Sequence, residues 1–101
     1  MTIEMENWKT INLEDIRSAS RHVYTEIRPT PQYRWPLLCE RLGTEVWVKH
    51  ENHTPVGAFK IRGGLNYFAN LVKSGEKPAG VISATRGNHG QSVGYAARRY
   101  D

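Results

Sequence analysis

A single cysteine, Cys39, stands among the 101 residues of the chain. One thiol cannot build an intramolecular disulfide framework, so a reducing, cytoplasmic compartment is expected. Also missing is any stretch approaching ~18 consecutive apolar residues, and no transmembrane helix is expected. The start, residues 1–9, is polar and carries Glu4 and Glu6. It lacks the basic opening and apolar run of a secretory signal. There is no internal repeat and no low-complexity tract.

What is present is an ordinary globular composition, with 39% hydrophobic and 24% charged residues. The length suffices for one small domain and no more. The net charge of +4 raises the question of a nucleic-acid partner. The basic residues are spread along the chain, however, and the only tight pair is Arg98 and Arg99. No nucleic-acid motif frames them, so no such partner is expected.

Periodicity predicts a helix over residues 12–27. Leu13, Ile16, Ser20, Val23 and Ile27 recur at steps of three and four, with Asn12 as N-cap. Pro29 and Pro31 end it. An irregular stretch, 28–42, then leads into a helical turn at 37–42 closed by Gly43. Residues 44–49 are rich in β-formers and predict a strand; 51–57 read as a loop. A helix is predicted over 59–73, with an apolar stripe of Ile61, Leu65, Phe68 and Val72. The Gly63-Gly64 pair inside it signals a close packing partner. Residues 81–84 predict a second strand, 85–90 a polar turn, and 91–100 a further helix with Val93, Ala97 and Tyr100 on one face.

Helix, strand, helix, strand, helix is an α/β order, so the expected fold class is a partial parallel-sheet domain. Parallel sheets need cover on both faces. Two strands alone would both be edges with unpaired backbone groups. The expectation is therefore an incomplete domain that, as 101 residues, folds poorly by itself.

Two segments could carry chemistry. The first runs from Glu51 to Gly64 and holds Phe59, Lys60 and Arg62. Lys60 falls in the first turn of its predicted helix, where the dipole opposes a cation and favours the neutral amine. A neutral amine is what Schiff-base chemistry uses. Most lysines at such positions are simply solvated. The second segment is Ser83 to Gln91, a strand end, a polar turn and a helix start. Free N–H groups at a helix start bind anions. The plainer alternative is a capped turn in which Thr85 or Asn88 only closes the helix.

Taken together, Phe59-Lys60-Ile61-Arg62-Gly63 and Gly87-Asn88-His89 resemble the fold-type II pyridoxal-phosphate enzymes: threonine and serine dehydratases, serine racemases and their relatives. That family's lysine motif is typically Ser-Phe-Lys-x-Arg-Gly, and its asparagine loop Ser-x-Gly-Asn-His. Thr30-Pro31 followed by Leu37-Leu38 resembles the family's Thr-Pro-Leu segment, with Gln32 to Pro36 intervening. The likeness extends from about Leu13 to Tyr100.

The resemblance implies a threonine/serine-dehydratase-type ammonia-lyase that uses pyridoxal 5′-phosphate. It would release a 2-oxo acid and ammonia from a hydroxy amino acid, within a homo-oligomeric parent. Lys60 would carry the cofactor and remove the Cα proton. Phe59 would pack near the cofactor ring, and Asn88 would bond its 3′-oxygen. Thr85, Gly87 and His89 would hold the substrate carboxylate. In the family the glycine-rich phosphate loop lies beyond the segment seen here, so residues 1–101 read as the N-terminal portion of the catalytic domain.

Two departures bear on substrate. Ala58 replaces the usual serine, and Arg86 stands where a small residue is common. A racemase needs a second acid/base there, for which an always-charged guanidinium is unsuited. Arg86 favours instead a substrate with an extra carboxylate, such as 3-hydroxyaspartate. Related 3-hydroxyaspartate ammonia-lyases, serine racemases, an inactive remnant or a small basic binding module stay open as alternatives. No metal site is expected: His50 and His53 lack a completing carboxylate or cysteine. Cys39 reads as a packed small hydrophobe, and Trp8, Trp35 and Trp47 as packing residues.

Overall fold

The computed structural model describes residues 10–101. The polar start and Trp8 lie outside these residues. Helix α1 spans Leu13–Val23 and is closed at its start by a reciprocal capping box. The Asp15 amide donates to Asn12 Oδ1 at 3.0 Å, and the Asn12 amide donates to Asp15 Oδ2 at 3.0 Å. Two of the helix's orphan donors are thereby satisfied. Only the C-terminal part of the predicted apolar stripe is buried: Val23 and, beyond the helix, Ile27. Leu13 and Ile16 remain exposed.

Strand β1 covers Gln32–Arg34, helix α2 Pro36–Leu42 and strand β2 Trp47–Lys49. Pro36 opens α2 at a position where its missing N–H costs nothing, and Gly43 caps it in the left-handed conformation. The Cys39 thiol packs against the chain entering β2, accepting from the Val46 amide at 3.2 Å.

The parallel sheet expected from the element order is not formed among the described residues. The described residues form one two-stranded sheet, and it is antiparallel, with Gln32 opposite Lys49, Tyr33 opposite Val48 and Arg34 opposite Trp47. Antiparallel strands can be joined by a short return, whereas parallel strands need a long crossover; α2 provides the return. β1 falls in the stretch read as irregular, because three exposed residues give no alternation to detect. Residues 81–84 belong to no helix and no ladder, and Ile82 is 101% exposed.

Helices α3, Ile61–Lys73, and α4, Asn88–Arg99, complete the fold. α3 is central and packs against both α1 and α4. Ile61, Leu65 and Phe68 from α3 meet Val23, Ile27 and Ala96 in the main core, with Val93, Ala97 and Tyr100 along its edge. Val72, the last residue of the predicted stripe, is exposed. The close neighbour signalled by the glycine pair is Ser92 of α4, and it lies against Gly64, not Gly63. An ion pair between Arg99 and Glu26 ties the end of α4 to the turn after α1.

Candidate functional site

The site begins with the loop before α3. Thr54 is buried and closes that loop on itself: its Oγ1 accepts from the Ala58 amide at 3.0 Å and donates to the Ala58 carbonyl at 2.7 Å. The chain then enters α3 with Lys60 at the N-cap. Arg62, in the first turn of α3, anchors the helix start. Its Nε and Nη2 donate to Glu51 Oε2 and Oε1 at 2.6 and 3.0 Å, and its Nη1 donates to the Tyr24 hydroxyl at 3.0 Å. Thr30 Oγ1 donates to Glu51 Oε1 at 2.5 Å, and Lys49 Nζ reaches the Thr30 carbonyl at 3.5 Å.

This two-pronged guanidinium–carboxylate geometry is the strong form of an ion pair, and both side chains are mostly shielded from water. Arg62 holds the Glu51 carboxyl below the ordinary carboxylate range, against a smaller opposing push from burial. Glu51 in turn raises the affinity of the Arg62 guanidinium for its proton. The network joins the end of α1, the strand β2 and the start of α3.

The second half of the site precedes α4. Gly87 takes φ +140°, a conformation side-chain-bearing residues rarely adopt. Thr85 Oγ1 accepts from the Gly87 amide at 3.0 Å and the Gly90 amide at 2.8 Å. The N-cap of α4 is Gly87, not Thr85 or Asn88 as the plainer alternative had it, yet Thr85 still satisfies an amide in the first turn of the helix. The amides of Asn88 and His89, the first two of α4, have no acceptor among the described residues.

The structure brings the two halves together. Lys60, Thr85, Arg86, Gly87, Asn88 and His89 line one cleft of about 230 Å³. No carboxylate lines it, and neither Lys60 Nζ nor the Arg86 guanidinium has a partner among the described residues. A cleft with two cationic side chains and free helix-start amides suits an anionic ligand. Phe59, the remaining predicted site residue, is 61% exposed and does not line the cleft.

Sequence reasoning missed the supporting residues Thr30, Glu51, Tyr24 and Ser92. The motif arginine was the available signal, since an arginine fixed beside a lysine implies an acidic partner elsewhere. A larger hollow of about 550 Å³ lies between α3, α4 and residues 76–81, but it collects none of the candidate residues. No three metal-ligating side chains converge among the described residues. No described helix is long and apolar enough to cross a membrane.

The cleft thus sets a lysine at one helix start against an anion-suited turn at another. A family model described as pyridoxal-phosphate dependent enzyme matches residues 23–101. The chain belongs to this family of pyridoxal-phosphate-dependent enzymes. Its relatives include the biosynthetic L-threonine dehydratase of Corynebacterium glutamicum, 38% identical over 87% of this chain and 20% of the relative. They also include the chloroplastic biosynthetic threonine dehydratase 1 of Solanum lycopersicum, 45% identical over 79% of this chain and 13% of the relative. The serine racemase of Dictyostelium discoideum is 35% identical over 93% of this chain and 29% of the relative. The chain therefore spans less than a third of the length of each of these relatives.

Proposed function

We propose that this chain is the N-terminal portion of a cytoplasmic pyridoxal-phosphate-dependent ammonia-lyase acting on threonine or serine. One observation carries the reading: Lys60 and the 85–89 turn, on two separate helix starts, line a single cationic cleft. Threonine dehydratases among the relatives support the substrate class.

The residues present fit the reacting end of the cofactor. Lys60 offers a primary amine to a carbonyl, Asn88 an amide, and the free N–H groups of Asn88 and His89 suit an anionic oxygen. At about 230 Å³ the cleft is below the ~300–1,000 Å³ usual for small-molecule sites. It is one wall of a site, and we assign the phosphate-holding wall to sequence outside residues 1–101. Exposure supports this assignment. Residues 81–84, with Ile82 bare, take the place of a strand in the completed parallel sheet.

When bound, pyridoxal phosphate supplies an electron sink for charge developing at the substrate Cα. The Lys60 amine would anchor the cofactor and would accept the substrate's Cα proton. Asn88 would bond the cofactor's 3′-oxygen, and Phe59 would pack near its ring once the site is complete. Thr85, Gly87 and His89 hold the substrate carboxylate, which fixes the Cα–H bond relative to Lys60. A second reading, 3-hydroxyaspartate as substrate, is favoured by the unpaired Arg86 on the cleft wall, where it could meet a second carboxylate.

The test is chemical labelling of the full-length protein. Borohydride reduction after loading with pyridoxal phosphate should leave the cofactor mass on the peptide containing Lys60. Lys60→Ala and Lys60→Arg should remove the label and lower turnover at least ~100-fold. Substitution of Lys49, Lys73 or Lys77 should do neither. A label on another lysine would move the assignment there. Failure to release a 2-oxo acid from threonine, serine and 3-hydroxyaspartate alike would end the ammonia-lyase reading.

A further inference from the structure

Ser92 sits on α4, is 1% exposed, and takes no part in lining the cleft. Its Oγ donates to the backbone carbonyl of Lys60 at 2.7 Å. The same carbonyl accepts the Gly64 amide at 3.2 Å, the first turn of α3. Both lone pairs of the Lys60 carbonyl are therefore engaged, one by its own helix and one by the neighbouring helix.

The approach is tight. A Cβ at position 64 would overlap Ser92 Oγ and lie 3.1 Å from the Ser92 backbone oxygen. α3 and α4 meet at this point only because residue 64 has no side chain. Asn88, the first residue of α4, is about one helical turn before Ser92. The bond from Ser92 to Lys60 thus spans the two segments whose side chains meet in the cleft.

We propose that Ser92 is a positioning residue for Lys60. Its buried hydroxyl sets the placement of the Lys60 backbone relative to the 85–89 turn, and Gly64 provides the space that lets it do so. This rests on the reading of Lys60 as the cofactor lysine. General helix packing would hold α3 beside α4 with some freedom to slide. A directed bond to the carbonyl of residue 60 itself removes that freedom at the residue where it matters.

Ser92→Ala in the full-length protein tests this. The Lys60 carbonyl keeps its bond from Gly64, so no buried acceptor is orphaned and the fold persists. Amide exchange at residues 61–65 in the cofactor-free protein should quicken about fivefold to tenfold, the loss of one hydrogen bond, while residues 68–73 stay unchanged. The pyridoxal-phosphate concentration that half-saturates borohydride labelling of Lys60 should rise by a similar factor. Gly64→Ala, which forces the hydroxyl aside, should give the same pattern. The double variant should be less impaired than the two single effects combined.

Unchanged exchange and unchanged half-saturation in Ser92→Ala would overturn the inference, as would fully additive effects of the two substitutions. A lower thermal midpoint without either change would reduce Ser92 to a packing residue and overturn it equally. If the wild-type protein labels at a different lysine, the functional reading fails. The exchange measurement then still decides whether Ser92 orders residues 60–64.

Discussion

The helical part of the molecule and the hairpin part are held together by different means. α1, α3 and α4 share a buried apolar core of Val23, Ile27, Ile61, Leu65, Phe68 and Ala96. The β1–α2–β2 unit has no buried residue in any of its three elements. Leu37 is 80% exposed, and Leu42 and Trp47 are also bare. Polar and edge contacts hold the hairpin instead. The His50 amide donates to the Pro31 carbonyl at 2.8 Å, and Trp35 Nε1 donates to His50 Nε2 at 2.9 Å. Tyr33, Trp35, His50 and His53 are linked in turn by edge-to-face ring contacts. The contrast teaches where rigidity was invested: Lys60 and the 85–89 turn both grow from the helical part, next to buried side chains.

Four substitutions in the full-length protein would break or sharpen this contrast. The largest effect is expected for Leu65→Ala, at the centre of the core and fully buried. Truncation there should cost about 2–5 kcal/mol in denaturant unfolding; a cost below about 1 kcal/mol would show that the core does not hold the helices.

Glu51→Gln should come next, at about 1.5–3 kcal/mol, because it removes the charged partner of a shielded arginine. The same pair predicts a pH dependence. The folded-state pKa of Glu51 lies below its ordinary value of 4.5, so its contribution is complete above that value. The contribution is lost as pH falls through the lower folded-state value. Acid titration of stability should therefore show a steeper fall below about pH 4.5 in wild type than in Glu51→Gln. Parallel acid curves would refute the role of the pair.

Asn12→Ala, which opens the capping box, should cost about 1 kcal/mol, read as faster amide exchange at the start of α1. Leu37→Ser on the bare face of α2 should change unfolding free energy by no more than about 0.5 kcal/mol. A larger loss would mean that this face is covered in the full-length protein.

Much of the helical part was legible because its signals are local. Asn12 announces a cap, Gly43 a helix end, and the spacing of Ile61, Leu65 and Phe68 a buried face. The cleft was legible through the residues flanking Lys60 and Asn88, which mark two helix starts. The sheet was not. Whether an extended segment pairs, and in which direction, depends on what lies beside it in space, and no pattern within 44–49 or 81–84 encodes that. The Glu51–Arg62–Thr30 network and the Ser92–Lys60 bond were hidden for the same reason. Each joins residues far apart in sequence, and one polar residue at each end leaves no periodic trace. Trp35 and Trp47 look like core residues by type, yet lie at the surface with their indole nitrogens bonded to His50 and Glu45.

The bareness of Ile82 also has a consequence during synthesis. The core residues of α1, α3 and α4 lie between Val23 and Ala96. If, as proposed, further sequence completes the site, they can assemble while the ribosome, adding some 5–20 residues per second, is still producing it. Val81 and Ile82 would then wait as an exposed apolar edge that pairs with no strand. Such an edge adds strands indiscriminately. The interval before it is covered is when a nascent chain would be most prone to join another copy, and most in need of a chaperone.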